Sequence, residues 1–445
     1  MKSSKSPNQN IMPVSAGVTR ENVLTLGGVS TEVLARDFGT PLWIMCQDTI
    51  EAAAREIMDG LRHYPAGALP CYAGKAFLCT AMAKLVDKLG FGLDVVSKGE
   101  IETALAANFK GSIYLHGNNK TDEELALAVK HNLKVVADNR QDLERLAELH
   151  GKSGTDSQTE VLLRIIPGID LDTHDHIKTG HDTSKFGIPL SQLNDTIAYC
   201  LGEKSIKLLG LHAHIGSQAM DLEPFQQVIE VFADIYEEIS KRFSYVLPHL
   251  DIGGGLGIAY VESDRPIALE KWTRTISEKM VEAFQEKRGL PLPSLSIEPG
   301  RCLVGTAGVT LYRVGRMKQL EQINYLSVDG GMADNPRPIT YQAAYTAMVA
   351  NRMEPREEHL KTWTIVGRYC ESGDIIVEEA KLDAAPGDII AIFATGAYNY
   401  SMASNYNRTA RPACVLVKDG HSDLMIAPET EEDLLRLDRI PSWLK

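Results

Sequence analysis

The sequence is poor in cysteine and lacks the cysteine spacing of a small disulfide-linked domain. Seven cysteines are spread over 445 residues, which is an odd number, and no Cys-X-X-Cys pair occurs. A disulfide framework and a structural zinc site are therefore not expected. A chain with scattered free thiols is expected in the reducing cytoplasm.

Long apolar runs and clusters of positive charge are missing as well. No run approaches the ~20 apolar residues of a membrane helix, and residues 1–14 lack the apolar segment of a signal peptide, so we expect a frayed tail there. The chain has 59 acidic and 46 basic residues, a net charge of −13. Neither a membrane nor a nucleic acid is therefore expected as a partner. The hydrophobic share of 44 % is ordinary for a soluble globular enzyme.

A repeated strand–helix pattern is present from about residue 69 onward. Short apolar runs rich in β-branched residues alternate with amphipathic stretches, and the eight predicted strands are 69–75, 92–97, 112–117, 134–139, 161–167, 206–215, 249–255 and 294–299. This count and span predict a (β/α)₈ barrel. A doubly wound sheet is the competing arrangement, but the GxGxxG motif that usually follows its first strand is missing.

The pattern changes after about residue 300, where only strand-like runs separated by turn residues remain. These runs predict a separate all-β domain. The expected division is an N-terminal segment over 1–40, partly flexible and partly packed with the β domain, a barrel over 41–305 and a β domain over 306–445. The early apolar run 42–46 is expected to join the β domain or its interface.

Chemically active side chains gather where the predicted barrel strands end. In a (β/α)₈ barrel these ends form one rim, which carries the active site. The rim residues are Lys75, Asp94, His212, His214, glycines 253–255 and 257, and Glu298-Pro299-Gly300-Arg301. Their convergence is more informative than any one of them.

Taken singly, each rim feature has an ordinary interpretation. Lys75 could be a solvated lysine, but at a barrel mouth it is a candidate for covalent attachment to a carbonyl group. The glycine loop could be a tight turn or a phosphate cradle made of free N–H groups. His212 and His214 share one face of a strand and could bind zinc. The further ligands that such sites need are missing from the later strands, so no metal is predicted.

Six motifs carry a family resemblance: 72–75 (YAGK), 214–218 (HIGSQ), 253–255 (GGG), 298–301 (EPGR), 370–374 (CESGD) and 396–398 (GAY). Together they resemble the fold-type III pyridoxal-phosphate-dependent decarboxylases, from about residue 30 to the C-terminus. The resemblance implies an α/β fold, an alanine-racemase-like (β/α)₈ barrel plus a C-terminal all-β domain, with pyridoxal 5′-phosphate as cofactor. It also implies a homodimer with shared active sites, because the family's Cys370 segment reaches the neighbouring subunit's site.

The resemblance implies a role for each cofactor-binding residue. Lys75 would hold the cofactor covalently, Glu298 would face its pyridine nitrogen, and His214 would lie on the ring face. The phosphate would be bound by a set of residues with hydroxyl or backbone N–H donors: Ser217, Gly253, Gly254, Gly255 and Tyr398, with the main chain of Glu298, Pro299, Gly300 and Arg301 nearby. Cys370 would protonate the carbon left after CO₂ departs.

Within that family the chain resembles the members that act on meso-2,6-diaminopimelate. The implied reaction removes CO₂ from the D centre and gives L-lysine, the last step of lysine biosynthesis. The distal carboxylate would be bound by Arg301, Arg337 and Tyr341, with Tyr398 also at the substrate, and the distal ammonium by Glu371. Relatives that act on ornithine or lysine usually read Cys-Asp where this chain reads Cys-Glu-Ser. His176 could contact substrate or close a loop.

Three alternatives stay open at this point. The nearest is another fold-type III decarboxylase, acting for example on carboxynorspermidine or a D-amino acid. A metal-dependent hydrolase on the same barrel is the second. The third is a homologue without catalytic activity that binds the cofactor for regulation.

Overall fold

The computed structural model describes residues 5–153, 157–168 and 184–445. The chain divides into two compact units. We call Ala53–Gly257 with Arg265–Cys302 the barrel unit. The sheet unit comprises the described residues up to Ala52 together with Ile258–Asp264 and Leu303–Lys445.

The barrel unit contains a closed barrel of eight parallel strands. The strands, numbered first to eighth below, are Ala68–Ala73, Gly92–Val95, Ile113–Leu115, Lys134–Ala137, Thr159–Arg164, Ile206–His212, His249–Asp251 and Ser294–Ile297. Strands that follow one another in sequence are paired, and the eighth closes the ring by pairing with the first. The predicted (β/α)₈ barrel is confirmed.

Helices alternate with these strands. Those within or overlapping the barrel unit are Gln47–Leu61, Thr80–Lys88, Lys98–Ala106, Asp122–His131, Arg140–Ser153, Leu190–Gly202, Glu223–Phe243, Leu269–Met280 and Arg301–Val304. Their starts follow local chemistry: the Thr121 hydroxyl accepts a hydrogen bond from the Glu124 N–H, and the Glu124 carboxylate accepts one from the Thr121 N–H. Among the described helices, none has the length and apolar character that crossing a bilayer requires.

Apolar side chains from different barrel strands pack into a common cluster. It includes Cys71, Tyr114, Val136, Leu162 and Leu209, all of them buried. Because such a barrel is a packed core rather than a pore, an active site is expected at the strand ends.

The sheet unit is built on a nine-stranded mixed sheet. Its strands are Leu42–Cys46, Gly308–Gln319, Asn324–Val328, Ala347–Val349, Lys361–Val366, Ile375–Leu382, Ile389–Phe393, Ala413–Lys418 and His421–Ile426. Leu42–Cys46 pairs parallel with Ala413–Lys418 and antiparallel with Gly308–Gln319, and all five of its residues are buried. The apolar run 42–46 therefore lies in the sheet, although the predicted barrel range begins at residue 41.

The N-terminal residues are well packed within the sheet unit. Three short strands, Gly17–Val18, Leu24–Leu26 and Val29–Ser30, precede the helix Thr31–Phe38. The frayed tail expected over residues 1–14 is wrong for the described part. Asn8 is fully buried, and its carbonyl accepts a hydrogen bond from the Ala259 N–H at 2.8 Å. The low hydrophobicity of this segment does not predict that it packs, because hydrogen bonds of its backbone hold it in place.

Candidate active site

Glu298 is a buried carboxylate at the end of the eighth barrel strand. Its Oε1 lies 3.1 Å from Nε2 of His116 and 3.1 Å from Nε2 of His212. Burial acts to raise the pKa of Glu298, but the two facing imidazoles outweigh it and hold that pKa well below its usual value. No described donor makes a well-aligned hydrogen bond to this oxygen. Glu298 is therefore ionised, and its Oε1 can still accept a hydrogen bond.

Two further buried carboxyls surround Glu298. Burial, together with the negative charge of Glu298, raises the pKa of Asp94 and raises that of Asp251 well above the usual value. Like charges in a low-dielectric site disfavour one another's ionisation. The negative charge at this rim is therefore concentrated on Glu298.

His214 follows the sixth strand and contacts the glycine loop. Its Nδ1 accepts a hydrogen bond from the Gly254 N–H at 3.3 Å. Burial and the nearby positive charge of Lys75 lower the pKa of His214 to about 3. The ring is therefore neutral at pH 7 and carries its proton on Nε2.

The loop after the seventh strand needs glycine for steric reasons. Gly253 and Gly255 have φ angles of +70° and +118°, a region that favours glycine. A Cβ on Gly254 would lie 2.0 Å from the carbonyl oxygen of Glu298. The backbone therefore passes directly against Glu298. The Gly253 N–H donates to Asp251 Oδ1 at 2.8 Å, so the loop is also tied to the end of the seventh strand.

Lys75, Ser217 and Arg301 add polar groups to the same unit. Lys75 lies in the turn Gly74–Ala76, directly after the first strand, and its side chain is exposed. Arg301 donates a hydrogen bond from Nη2 to Ser217 Oγ at 2.8 Å. The Pro299 carbonyl accepts one from the Ala73 N–H at 3.2 Å, which ties the end of the eighth strand to the first.

The sheet unit holds a second polar group, centred on Arg337. Arg337 is 7 % exposed, and its Nη1 donates to the hydroxyls of Tyr260 at 2.8 Å and Tyr345 at 2.7 Å. The guanidinium also lies over the Tyr260 ring, 5.0 Å from its centroid. Asn399 Nδ2 in turn donates to the Tyr345 hydroxyl at 3.3 Å. Arg337 is thus a fixed cation.

Cys370 and Glu371 lie in an exposed turn of the sheet unit. The Cys370 N–H donates to Asn407 Oδ1 at 3.0 Å, and the Cys370 carbonyl accepts from the Tyr406 hydroxyl at 3.4 Å. Tyr341 ends the short helix Arg337–Tyr341 and is 64 % exposed. Tyr398 has a φ of +65°, an unusual value for a residue with a side chain.

Comparison with known proteins finds relatives along nearly the whole chain. Residues 48–305 match the family model of the pyridoxal-dependent decarboxylase, pyridoxal binding domain. The chain is 44 % identical over 455 residues to diaminopimelate decarboxylase from Synechocystis sp., covering 99 % of this chain and 95 % of that protein. It is 42 % identical over 434 residues to diaminopimelate decarboxylase from Bacillus subtilis, covering 95 % and 97 %.

A solved structure agrees. Diaminopimelate decarboxylase from M. jannaschii in complex with L-lysine matches with a TM-score of 0.90 at 30 % identity, covering 99 % of this chain and 100 % of that one. The chain belongs to the diaminopimelate decarboxylase family. This confirms the predicted family, a pyridoxal-phosphate-dependent decarboxylase.

The barrel residues of this diaminopimelate decarboxylase family member fit pyridoxal 5′-phosphate. Glu298 is ionised and its Oε1 lacks an in-line donor among the described residues, which suits a protonated pyridine nitrogen. The glycine loop has positive φ angles at Gly253 and Gly255, a backbone form that occurs in loops whose N–H groups bind a phosphate. Lys75 supplies the amine that such a cofactor needs.

The structure places the predicted residues in two groups. The barrel unit brings together Lys75, His214, Ser217, the 253–255 glycines and residues 298–301, through the contacts given above. The sheet unit carries Arg337, Tyr341, Cys370, Glu371 and Tyr398. His176 lies outside the described residues.

Sequence reasoning missed two sets of supporting residues. His116 directly follows the third strand, Ile113–Leu115, at a strand end that the predicted rim residues do not include. Attention to every strand end would have found it. The residues around Arg337, namely Tyr260, Tyr345 and Asn399, come from distant parts of the chain. No local sequence pattern therefore predicts that they lie together.

Proposed function

We propose that the chain decarboxylates meso-2,6-diaminopimelate at its D centre, giving L-lysine and CO₂, with pyridoxal 5′-phosphate as cofactor. The observation that carries this proposal is the buried, ionised Glu298 beside a glycine loop, in a chain similar over its full length to diaminopimelate decarboxylases. When bound, the cofactor supplies a ring that takes up the electron pair released as CO₂ leaves.

The barrel residues bind and orient that cofactor. Lys75 would hold it covalently, Glu298 would keep the proton on its pyridine nitrogen, and neutral His214 would contact its ring. The phosphate is bound by hydroxyl and backbone donors, namely Ser217, Gly253, Gly254, Gly255 and Tyr398, with the main chain of 298–301 nearby. A neutral imidazole suits this position because it adds no charge to compete with Glu298.

The sheet-unit residues select the substrate. Arg337 and Tyr341, with Arg301 of the barrel unit, bind the distal carboxylate, since a guanidinium and a phenol suit that group. Glu371 binds the distal ammonium, and Tyr398 also contacts substrate. The two tyrosine hydroxyls that hold Arg337 keep its guanidinium in a defined direction.

Cys370 returns a proton to the α-carbon after CO₂ leaves. A thiol is a weak acid, so it can pass its proton to a carbanion. The enzyme acts in the cytoplasm as a homodimer, in which the turn that carries Cys370 and Glu371 reaches the site of the second copy. The exposure of this turn and of Tyr341 in one copy supports that arrangement.

The experiment is a parallel incubation of the cofactor-loaded protein with meso-diaminopimelate, ornithine, arginine and carboxynorspermidine, followed by chiral chromatography of the products. L-lysine from the first substrate alone is the expected result. Turnover of another substrate instead would keep a pyridoxal-phosphate decarboxylase and contradict the roles of Arg337 and Glu371. No turnover, no visible cofactor absorbance and a bound metal would favour a metal-dependent hydrolase.

A further inference from the structure

His116 lies between the two carboxyls at the barrel rim. It directly follows the third strand, where its backbone N–H donates to the Val95 carbonyl at 2.8 Å. Its side chain is 7 % exposed, and its Nε2 lies 3.1 Å from Glu298 Oε1 and 3.5 Å from Asp94 Oδ1. Its ring stands edge-on to that of His212, with centroids 5.0 Å apart and an interplanar angle of 72°.

We propose that His116 is a positioning residue, which holds the Glu298 carboxylate in place for the pyridine nitrogen and separates it from Asp94. This inference rests on the proposed role of Glu298. His116 itself does not touch the reacting atoms in this account. It acts through Glu298.

Two physical arguments support the assignment. A carboxylate with one polar neighbour can turn about its last side-chain bond, whereas two imidazoles at 3.1 Å on the same oxygen restrict that rotation. The His116 imidazole also stands between two carboxyls, because its Nε2 lies 3.1 Å from Glu298 Oε1 and 3.5 Å from Asp94 Oδ1. Like charges at short range inside a protein favour protonation of one partner, and a protonated Glu298 could not keep the proton on the ring nitrogen.

The same three residues offer a competing interpretation. The candidate ligand atoms of His116, His212 and Glu298 lie within 4.8 Å of one another, and two imidazoles with one carboxylate can bind a divalent cation. His116 would then be a metal ligand rather than a positioning residue. The two interpretations predict different results when the residue is changed.

The test compares His116→Gln with His116→Met, two side chains of similar size of which only glutamine keeps an N–H donor. The control is His249→Gln, because His249 is a buried barrel histidine that contacts Ser294 Oγ at 2.7 Å. The measurements are the affinity of the cofactor-free protein for pyridoxal 5′-phosphate, the visible absorbance spectrum of the loaded protein, and kcat and KM separately.

We expect His116→Met to weaken cofactor binding by about tenfold to a hundredfold, the range for a lost polar contact to a charged group. Its visible spectrum should shift, and kcat should fall more than KM changes. His116→Gln should recover most of the affinity and the wild-type spectrum. His249→Gln should leave both unchanged.

Three results would overturn the inference. His116→Met could bind the cofactor with wild-type affinity and spectrum. The control could be impaired as strongly as His116→Met. Purified protein could contain stoichiometric metal that His116→Met loses.

A Glu298→Gln variant separates failure of this inference from failure of the proposed function. If Glu298→Gln binds the cofactor like the wild type with an unchanged spectrum, the proposed role of Glu298 is wrong. If Glu298→Gln is impaired and His116→Met is not, only the role of His116 is wrong.

Discussion

At the scale of single residues, carboxyl groups at the barrel rim that look alike in sequence differ in their pKa. Of three buried carboxyls, Glu298 has a lowered pKa, while Asp94 and Asp251 have raised ones. The difference comes from the two imidazoles that face Glu298. An ionised Glu298 is the partner that a positive pyridine nitrogen requires.

Lys75→Ala tests the covalent attachment of the cofactor. We expect the visible absorbance band of the lysine-bound cofactor to disappear and decarboxylation to fall at least a thousandfold, about the loss seen when a nucleophile is removed. Lys75→Arg is the matched control, since it keeps the charge but cannot form the bond, and it should behave the same way. An unchanged band in either variant would contradict the assignment.

Arg337→Lys tests the recognition of the distal carboxylate. A lysine keeps the charge but loses the planar fork of the guanidinium and its two tyrosine contacts. We expect KM for meso-diaminopimelate to rise about tenfold to a hundredfold, as for the loss of a charged hydrogen bond, while cofactor affinity stays unchanged. Arg36→Lys, an exposed arginine paired with Asp37, should leave KM unaltered. A wild-type KM in Arg337→Lys would refute the assignment.

At the scale of elements, the turn that carries Cys370 is anchored by Asp374. The Asp374 carboxylate accepts hydrogen bonds from the backbone N–H groups of Met332 at 2.6 Å and Tyr369 at 2.9 Å. Two glycines make room for it, because a Cβ on Gly367 or Gly331 would lie 2.2 or 2.4 Å from its oxygens. The carboxylate thus joins two loops next to the proposed proton donor.

Asp374→Asn should therefore loosen this turn. An amide has only one acceptor oxygen, so one of the two backbone donors is left unpaired. We expect kcat to fall about tenfold, with cofactor affinity unchanged, in steady-state kinetics and cofactor titration. Asp383→Asn, which breaks the pairs with Arg352 and Arg356 elsewhere in the sheet unit, should lower stability but not kcat. An equal loss of kcat in both variants would mean a general effect on the fold.

A charge network links barrel helices through Glu230. Glu230 lies in the helix Glu223–Phe243, 2.6 Å from the ammonium groups of Lys279 and Lys287 and 3.0 Å from Arg288. Burial raises the pKa of Glu230, but these hydrogen bonds outweigh it and lower the pKa to about 2. The stabilisation is therefore complete above the unfolded value near 4.5 and is lost as pH falls toward 2.

Glu230→Gln should lower the free energy of unfolding by about 1 kcal/mol at pH 7, as expected for a partly exposed network. The difference from the wild type should shrink as pH falls below about 4.5. Denaturant unfolding at several pH values measures this. A constant difference down to pH 2 would contradict the ionic origin.

At the scale of the whole molecule, the proposed shared sites predict that two inactive variants regain activity when they are mixed. Lys75→Ala and Cys370→Ala should each be nearly inactive. If each site takes Lys75 from one copy and Cys370 from the other, reassorted mixed dimers contain one intact site. Random reassortment then restores about a quarter of wild-type activity. No recovery after subunit exchange, with mixed dimers shown by mass spectrometry, would place both residues in the same copy's site.

The barrel could be predicted because its strands are apolar, β-branched and regularly spaced. Smaller features could not be predicted from the sequence, for physical reasons. The strand Ala347–Val349 has only three residues, too few for a periodic signal. Asn8 is buried through backbone hydrogen bonds that composition does not reveal. His116 acquires its significance only from Glu298 and Asp94, which lie on other strands.

The reaction proposed for this chain is decarboxylation of meso-diaminopimelate at its D centre. Its most direct test uses substrate carrying a ¹³C label in the carboxyl group of that centre only. We expect labelled CO₂ and unlabelled L-lysine in equal amounts, formed only when pyridoxal 5′-phosphate is present. Label retained in the amino-acid product, or any product other than L-lysine, would contradict it.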